Sequence, residues 1–429
     1  MTRAARAIRF AADRYLILPL GALAAIAWAN SRPESYFAFA HAWSFAVNDV
    51  AMVFFFALIT EEFIEATVPG GALHTWRRVA LPVAGAVGGV AGSAIAYLMY
   101  LGSGDELSVL GRGWPIPGAV DLAFGYVVAR NIWRRHPAIP FFLLIGIASN
   151  ALGVLIVELQ YPIADRHAIG PLLLAAAIGI AAALRHRRVR TIWPYVLVCG
   201  PCSWWGLFAS GLHPALALVP IVPFFTHAKR DRPLFADVPP HARDGLSRFD
   251  RAWKYPVQAV LLVFALVNAG VMIRGFGTGT KAVAIAALAG KPLGVLAAIG
   301  VAVACGLRLP RRVGWRELAV IAFTSSIGFT YALFFATAAI PFGPVLVEMK
   351  LGALLTVAGA CLAMAAAALL RVGRFASGRS SRARRLPPPI LDLSVAGSIE
   401  RALREDPAFS DAGSPHLSSP RSDRVSGAS

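Results

Sequence analysis

The chain has 429 residues and a formal net charge of +18, yet only 15% of its residues are charged. With a mean hydropathy of +0.63, that balance excludes an ordinary soluble domain. The position of the arginines argues against nucleic acid as the partner, because they mark alternate connections between apolar runs.

Apolar runs recur from about Leu16 to Leu370, and a ~30 Å hydrocarbon core divides them into roughly twelve spans. The spans centre near Ala24, Phe54, Gly89, Phe124, Gly146, Ala176, Leu197, Leu216, Leu262, Leu293, Phe329 and Gly359. Nothing alternates in the manner of a membrane barrel, so the fold class is an all-α membrane bundle. Basic residues fill every second connection, from Arg3 through Arg77, Arg130, Arg185 and the loop at 229–254 to Arg308 and the tail. The intervening connections hold few. This pattern places both termini in the cytoplasm. The charged start is followed by an apolar run without a small-residue cleavage site, so it reads as a retained first span. Residues 1–374 form the multi-spanning domain; residues 375–429, rich in Ser, Arg and Pro, are expected to be disordered.

The second span ends Thr60-Glu61-Glu62-Phe63-Ile64-Glu65. Glu61 and Glu65 share a helix face, and Glu62 and Glu65 are neighbours. Clustered carboxylates can titrate nearer neutrality, so these three form a candidate pH-sensing mouth, set against the plainer reading of a solvated helix end. In the third span Gly85, Gly88, Gly89 and Gly92 form overlapping small-residue pairs, which permit close helix crossing in lipid.

The fourth span begins with a break, Gly113-Trp114-Pro115-Ile116-Pro117-Gly118, immediately before Val120-Asp121-Leu122. Two prolines and two glycines cannot continue a regular helix. Irregular backbone at membrane depth is tolerated only beside a cavity or inside protein. An acid in a span costs at least a few kcal/mol unless it faces water or a partner. Asp121 is therefore a candidate ion ligand, or else a structural charge that neutralises helix ends.

In the seventh span Cys199-Gly200-Pro201-Cys202 has the spacing of a thioredoxin-type motif. It lacks the strand–helix context that such chemistry needs, and reads as packing. His213, in a turn of the eighth span, joins the pH-sensing candidates because imidazole titrates near neutrality. Lys291, in Gly290-Lys291-Pro292, is read as the one lysine in the middle of a span. It serves either as a proton carrier or in a salt bridge that locks the bundle. The eleventh span breaks again at Ser325-Ser326-Ile327-Gly328-Phe329-Thr330. Paired broken spans in two halves mark the binding region of inverted-repeat transporters.

Several segments, in order over about residues 11–372, resemble NhaA-type sodium/proton antiporters. They include Asn48-Asp49-Val50-Ala51-Met52-Val53-Phe54-Phe55-Phe56, Gly113-Trp114-Pro115-Ile116-Pro117, Ala119-Val120-Asp121-Leu122-Ala123-Phe124 and Ser210-Gly211-Leu212-His213. Asn268-Ala269-Gly270-Val271, Gly290-Lys291-Pro292-Leu293-Gly294 and Ile327-Gly328-Phe329-Thr330 continue the series. The resemblance implies about twelve helices in inverted repeats with two interrupted, and exchange of Na⁺ or Li⁺ for H⁺ by alternating access. It also implies a bacterial inner membrane location, surrounding lipid, a homodimer as an allowed assembly, and no cofactor. Asp121, Lys291 and Glu62 match the family's fourth-span acid, tenth-span lysine and cytoplasmic-mouth glutamate. Ser149 and Asn150 stand where the family carries adjacent aspartates; with Thr330 they complete the implied ion pathway. A hydroxyl and an amide offer oxygen ligands but no proton at physiological pH. The alternative is a transport-inactive homologue kept as a membrane sensor or scaffold, or a transporter of changed substrate. No nucleophile–base pair or metal spacing suggests an enzyme.

Overall fold

The computed structural model describes residues 17–67, 76–102, 105–134, 136–161, 167–189, 191–226, 245–273, 276–310 and 312–376. The arginine-rich start, most of the expected cytoplasmic loop, the tail from residue 377 and the Glu65 side chain lie outside the described residues.

Every regular element among the described residues is helical. In chain order they begin with α1 (Ile17–Ser31), α2 (Pro33–Phe45) and α3 (Met52–Thr67), the last two joined by a wide turn at Ala46–Ala51. There follow α4 (Trp76–Leu101), α5 (Asp105–Leu110), α6 (Leu122–Trp133), α7 (Ala138–Gln160), α8 (Ile169–His186) and α9 (Gly200–Ala209). The second half holds α10 (Gly245–Asn268), α11 (Thr278–Ile285), α12 (Lys291–Ala304), α13 (Trp315–Ser325), α14 (Phe329–Ala339), α15 (Pro344–Leu355) and α16 (Ala358–Leu369). Leu172, Leu197, Trp205, Leu293 and Val301 are each more than half exposed. An apolar surface of that kind suits hydrocarbon and not water.

Six helices among the described residues are long and apolar enough to cross a membrane, or seven if the bent pair α13–α14 counts as one span. The sequence expectation of roughly twelve rests on apolar length alone; prolines and glycines cut several of those runs into shorter pieces. The clearest departure is the span expected near Leu216. There the chain forms two short 3₁₀ turns, Pro214–Leu216 and Val222–Phe224, joined by further turns. Three prolines, at 214, 220 and 223, remove the donors that a helix needs. Ala215, Ala217, Leu218, Ile221 and Val222 are almost wholly buried, so this irregular backbone is shielded by protein.

Helices α4 and α12 cross closely on their glycine faces. A Cβ on Gly92 would sit 2.6 Å from the Gly290 carbonyl oxygen, and one on Gly88 2.5 Å from that of Gly294. Neither contact leaves room for a side chain, so the glycines of α4 have the packing role that their spacing implies. The crossing matters for function because it fixes Lys291, the first residue of α12, at the bundle centre. Cys199 and Cys202 are free thiols, and Cys202 donates to the Leu173 carbonyl at 3.4 Å.

Candidate ion pathway

The break before α6 exposes several backbone groups, and each finds a side chain or a distant backbone partner. Ile116–Gly118 is a 3₁₀ turn; Ala119 and Asp121 are extended, with ψ of 149° and 102°. The Val120 N–H donates to Asn150 Oδ1 at 2.9 Å, and Asn150 Nδ2 donates to the Val120 carbonyl at 2.7 Å. One amide side chain on α7 thus replaces the missing ladder at Val120. The Asp121 N–H donates to the Ile327 carbonyl at 2.6 Å, so the two broken stretches touch backbone to backbone. The Gly118 carbonyl accepts from Lys291 Nζ at 2.8 Å, and the Ala119 carbonyl accepts from the same ammonium. A buried backbone polar group left without a partner costs about 1–3 kcal/mol, so these partners are what makes the break tenable.

Asp121 caps α6. Its Oδ1 accepts from the Phe124 N–H at 2.9 Å. Its Oδ2 accepts from the Thr330 N–H at 3.1 Å and from the Thr330 hydroxyl, in the first turn of α14. Two helix N-termini therefore converge on one carboxylate that is 2% exposed, an arrangement that favours negative charge at that point. Across the crossing, Thr356 Oγ1 accepts from the Gly328 and Phe329 N–H groups, each at 3.1 Å. Helices α13 and α14 bend by 45° at this second break.

Lys291 is fully buried, and its ammonium is engaged by backbone carbonyls, with no ion pair to Asp121 within 4.0 Å. The ammonium reaches the carbonyls two and three residues before Asp121, because those oxygens have no other donor once the helix is broken. Opposite charges thus sit at opposite ends of the same break: the cation on free carbonyls, the acid on free N–H groups.

Ser149, one residue before Asn150 on α7, is fully buried, and its Oγ has no hydrogen-bond partner. Asn150 has both ends of its amide engaged by Val120. The two residues that sequence reasoning grouped as ligands therefore differ: Ser149 has free lone pairs, whereas the Asn150 amide is structural.

A cavity of about 100 Å³ runs from Asp121 and Thr330 past Tyr331 to Glu61, Glu62 and Asp250. It joins the central acid to the end of α3, where Glu61 and Glu62 are buried, and adds Asp250 of α10, which sequence reasoning did not single out. His213 lies elsewhere. It lines a second cavity of about 610 Å³ with Asp49, Arg112, Tyr161 and Lys350. Its backbone N–H donates to Glu158 Oε2 at 2.8 Å; its Nδ1 accepts from the Ala215 N–H at 3.3 Å and lies 3.9 Å from Asp49 Oδ1. The grouping of His213 with the glutamate mouth is therefore corrected: α14 presents Thr330 and Tyr331 to the first cavity, and Thr337 through Ala339 to the second. Between them lies an aromatic plug. Phe334 packs on Phe56 at 4.7 Å and on His213 at 4.9 Å, and Phe56 on Tyr331 at 5.8 Å.

The sequence reading also missed Glu158 on α7 and Lys350 on α15. Lys350 is only 9% exposed, so Lys291 is not alone as a lysine inside an apolar helix. A scan for any charge inside the apolar segments would have found both, since such residues are rare at membrane depth.

Comparison with known proteins accords with this geometry. The model of the family described as Na⁺/H⁺ antiporter 1 matches residues 6–370. The Na(+)/H(+) antiporter NhaA of Geobacter metallireducens is 39% identical over 366 residues, covering 82% of this chain and 95% of that protein. The protein of the same name from Geotalea uraniireducens is 38% identical, covering 84% and 96%. Na(+)/H(+) antiporter NhaA 1 of Pelobacter propionicus is 37% identical, covering 84% and 97%. A match that spans the crossing, both cavities and nearly every described helix is a match of the whole molecule, and the chain belongs to the Na⁺/H⁺ antiporter 1 family of NhaA-type membrane proteins.

Proposed function

We propose that this chain exchanges a monovalent cation, Na⁺ or Li⁺, for protons by alternating access around Asp121. The observation that supports it is a single buried carboxylate at the crossing of two broken spans, reached by a cavity lined with further acids. A proton and a cation compete for such a group, because either one neutralises it. The Thr330 hydroxyl supplies an adjacent oxygen, and Ser149 Oγ is a neutral oxygen ligand in the same core. Lys291 holds the break open by engaging its carbonyls, and in this reading positions the site without itself binding the cation. The names of the relatives favour exchange over the scaffold reading.

The same reading gives about twelve spans in inverted repeats, both termini cytoplasmic, and a place in a bacterial plasma membrane. The Glu61–Glu62 cavity then opens to the cytoplasm and the His213 cavity to the outside. With Ser149 and Asn150 where the family's aspartates would stand, exchange relies on fewer titrating groups, so two protons per sodium is not the expected coupling. The test is a transmembrane ΔpH assay in everted vesicles, with Na⁺, Li⁺ and K⁺ added separately. Wild type should dissipate ΔpH on addition of Na⁺ or Li⁺, and Asp121→Asn should not. Equal responses from both would refute the assignment. Cysteine labelling that places residue 213 on the cytoplasmic side would refute the topology.

A further inference from the structure

The larger cavity has a charge pattern that cation exchange does not use. Its lining contains two cations, Lys350 and Arg112, and one carboxylate, Asp49. Asp49 lies against His213, whereas neither cation has a carboxylate partner among the described residues. Lys350 is nine-tenths buried, and its ammonium makes no hydrogen bond or ion pair among the described residues. The nearest acid in sequence, Glu348, is committed to the Gly279 N–H at 2.8 Å. Arg112 lies over the Tyr161 ring at 5.4 Å, and Tyr161 donates its hydroxyl to the Arg112 carbonyl at 2.7 Å. Both cations line the one cavity, and their chain neighbours touch. A Cβ on Gly113, next to Arg112, would sit 2.8 Å from the sulfur of Met349, next to Lys350.

A buried cation without a partner, such as Lys350, is among the costliest groups in a membrane protein. An anion that reaches it removes that penalty, and Arg112 on the same lining adds to the attraction. The rest of the wall is aromatic, with Phe37, Phe45, Phe342 and Tyr161 facing the space. Its volume of about 610 Å³ lies within the range of small-molecule sites, ~300–1,000 Å³.

We propose that this cavity binds an organic monoanion, a carboxylate with an aromatic or short aliphatic body, its head group between Lys350 and Arg112. The apolar body lies against the Tyr161 and phenylalanine walls. Asp49 also lines the cavity, and its negative charge disfavours a second negative group on the ligand. The cavity does not include Asp121, so binding there is measured separately from exchange.

The probe is benzoate, with benzamide as its uncharged isostere and chloride as an anion without an apolar body. Binding to the purified full-length chain is measured at constant ionic strength by saturation-transfer NMR and by thermal stabilisation. Benzoate should bind, and benzamide and chloride should bind at least about tenfold more weakly. Lys350→Gln should weaken benzoate about tenfold or more, and Arg112→Gln, at an exposed position that carries little folding risk, should weaken it by a smaller factor. Equal binding of benzamide or chloride would overturn the proposal. So would benzoate affinity unchanged in Arg112→Gln, which remains readable even if Lys350→Gln does not fold.

Discussion

The two breaks that meet at the centre of the molecule solve the same problem with different chemistry. At 118–121 the freed backbone groups are met by a lysine, an aspartate cap and an asparagine amide. At 326–329 a single neutral hydroxyl, Thr356 Oγ1, accepts from two N–H groups. The first break therefore carries charge and the second does not, although they share the Asp121–Ile327 hydrogen bond and the Thr330 contact. The contrast teaches that a broken helix at membrane depth can be satisfied by charged or by neutral partners; in the proposed reading only the charged break takes part in exchange. Charged groups make stronger hydrogen bonds than neutral ones, but they also bind ions.

The contrast can be broken most severely at Asp121. Asp121→Asn keeps the shape and one acceptor for the cap but removes the charge. Sodium-dependent ΔpH dissipation should fall by about a hundredfold or more, the order expected when a buried charge is lost. Thr356→Val at the neutral break should leave the ion selectivity of exchange unchanged while it lowers stability. Equivalent loss of exchange in both variants would mean that the two breaks are not functionally distinct.

Lys291→Met is next. It strips the donor from the Gly118 and Ala119 carbonyls, and should destabilise the protein by about 3 kcal/mol, at roughly 1–3 kcal/mol for each orphaned acceptor. The measurement is the midpoint of thermal unfolding in detergent. Little change in stability together with loss of transport would instead assign Lys291 to the transport chemistry.

At Ser149 and Asn150 the two side chains should respond in opposite ways. Asn150→Asp sets a carboxylate against the Val120 carbonyl and forfeits the Nδ2 bond, at a cost of about 2 kcal/mol. Ser149→Asp disturbs no hydrogen bond made by the hydroxyl and adds a second titrating group beside the crossing. It should raise sodium-dependent exchange in vesicles, with a steeper dependence on pH as two coupled groups titrate. Stimulation by Asn150→Asp and inhibition by Ser149→Asp would reverse the roles given to them here. The smallest effect is expected at Thr356→Val, about 1 kcal/mol, because some of the freed N–H groups can tighten into 3₁₀ hydrogen bonds.

The sequence alone settles the features that are local. Apolar length and low charge specify a helical membrane protein. The Pro115–Pro117 run marks where a helix stops, since a missing N–H acts at its own position. Asp121 and Lys291 stand out as charges in apolar surroundings, and the ordered motifs carry the family. Partner choice is not local, and there only the tertiary structure decides. Asn150 meets Val120 from 30 residues away, Lys291 meets Gly118 from 173, and Thr330 meets Asp121 from 209. A buried polar group takes whichever donor or acceptor the packing brings near, and for Lys291 the packing brings backbone carbonyls. The same holds for the irregular stretch around Leu216, which apolar content alone presents as a span. Its prolines forbid a continuous helix, and only burial by neighbouring helices makes its turns admissible at membrane depth.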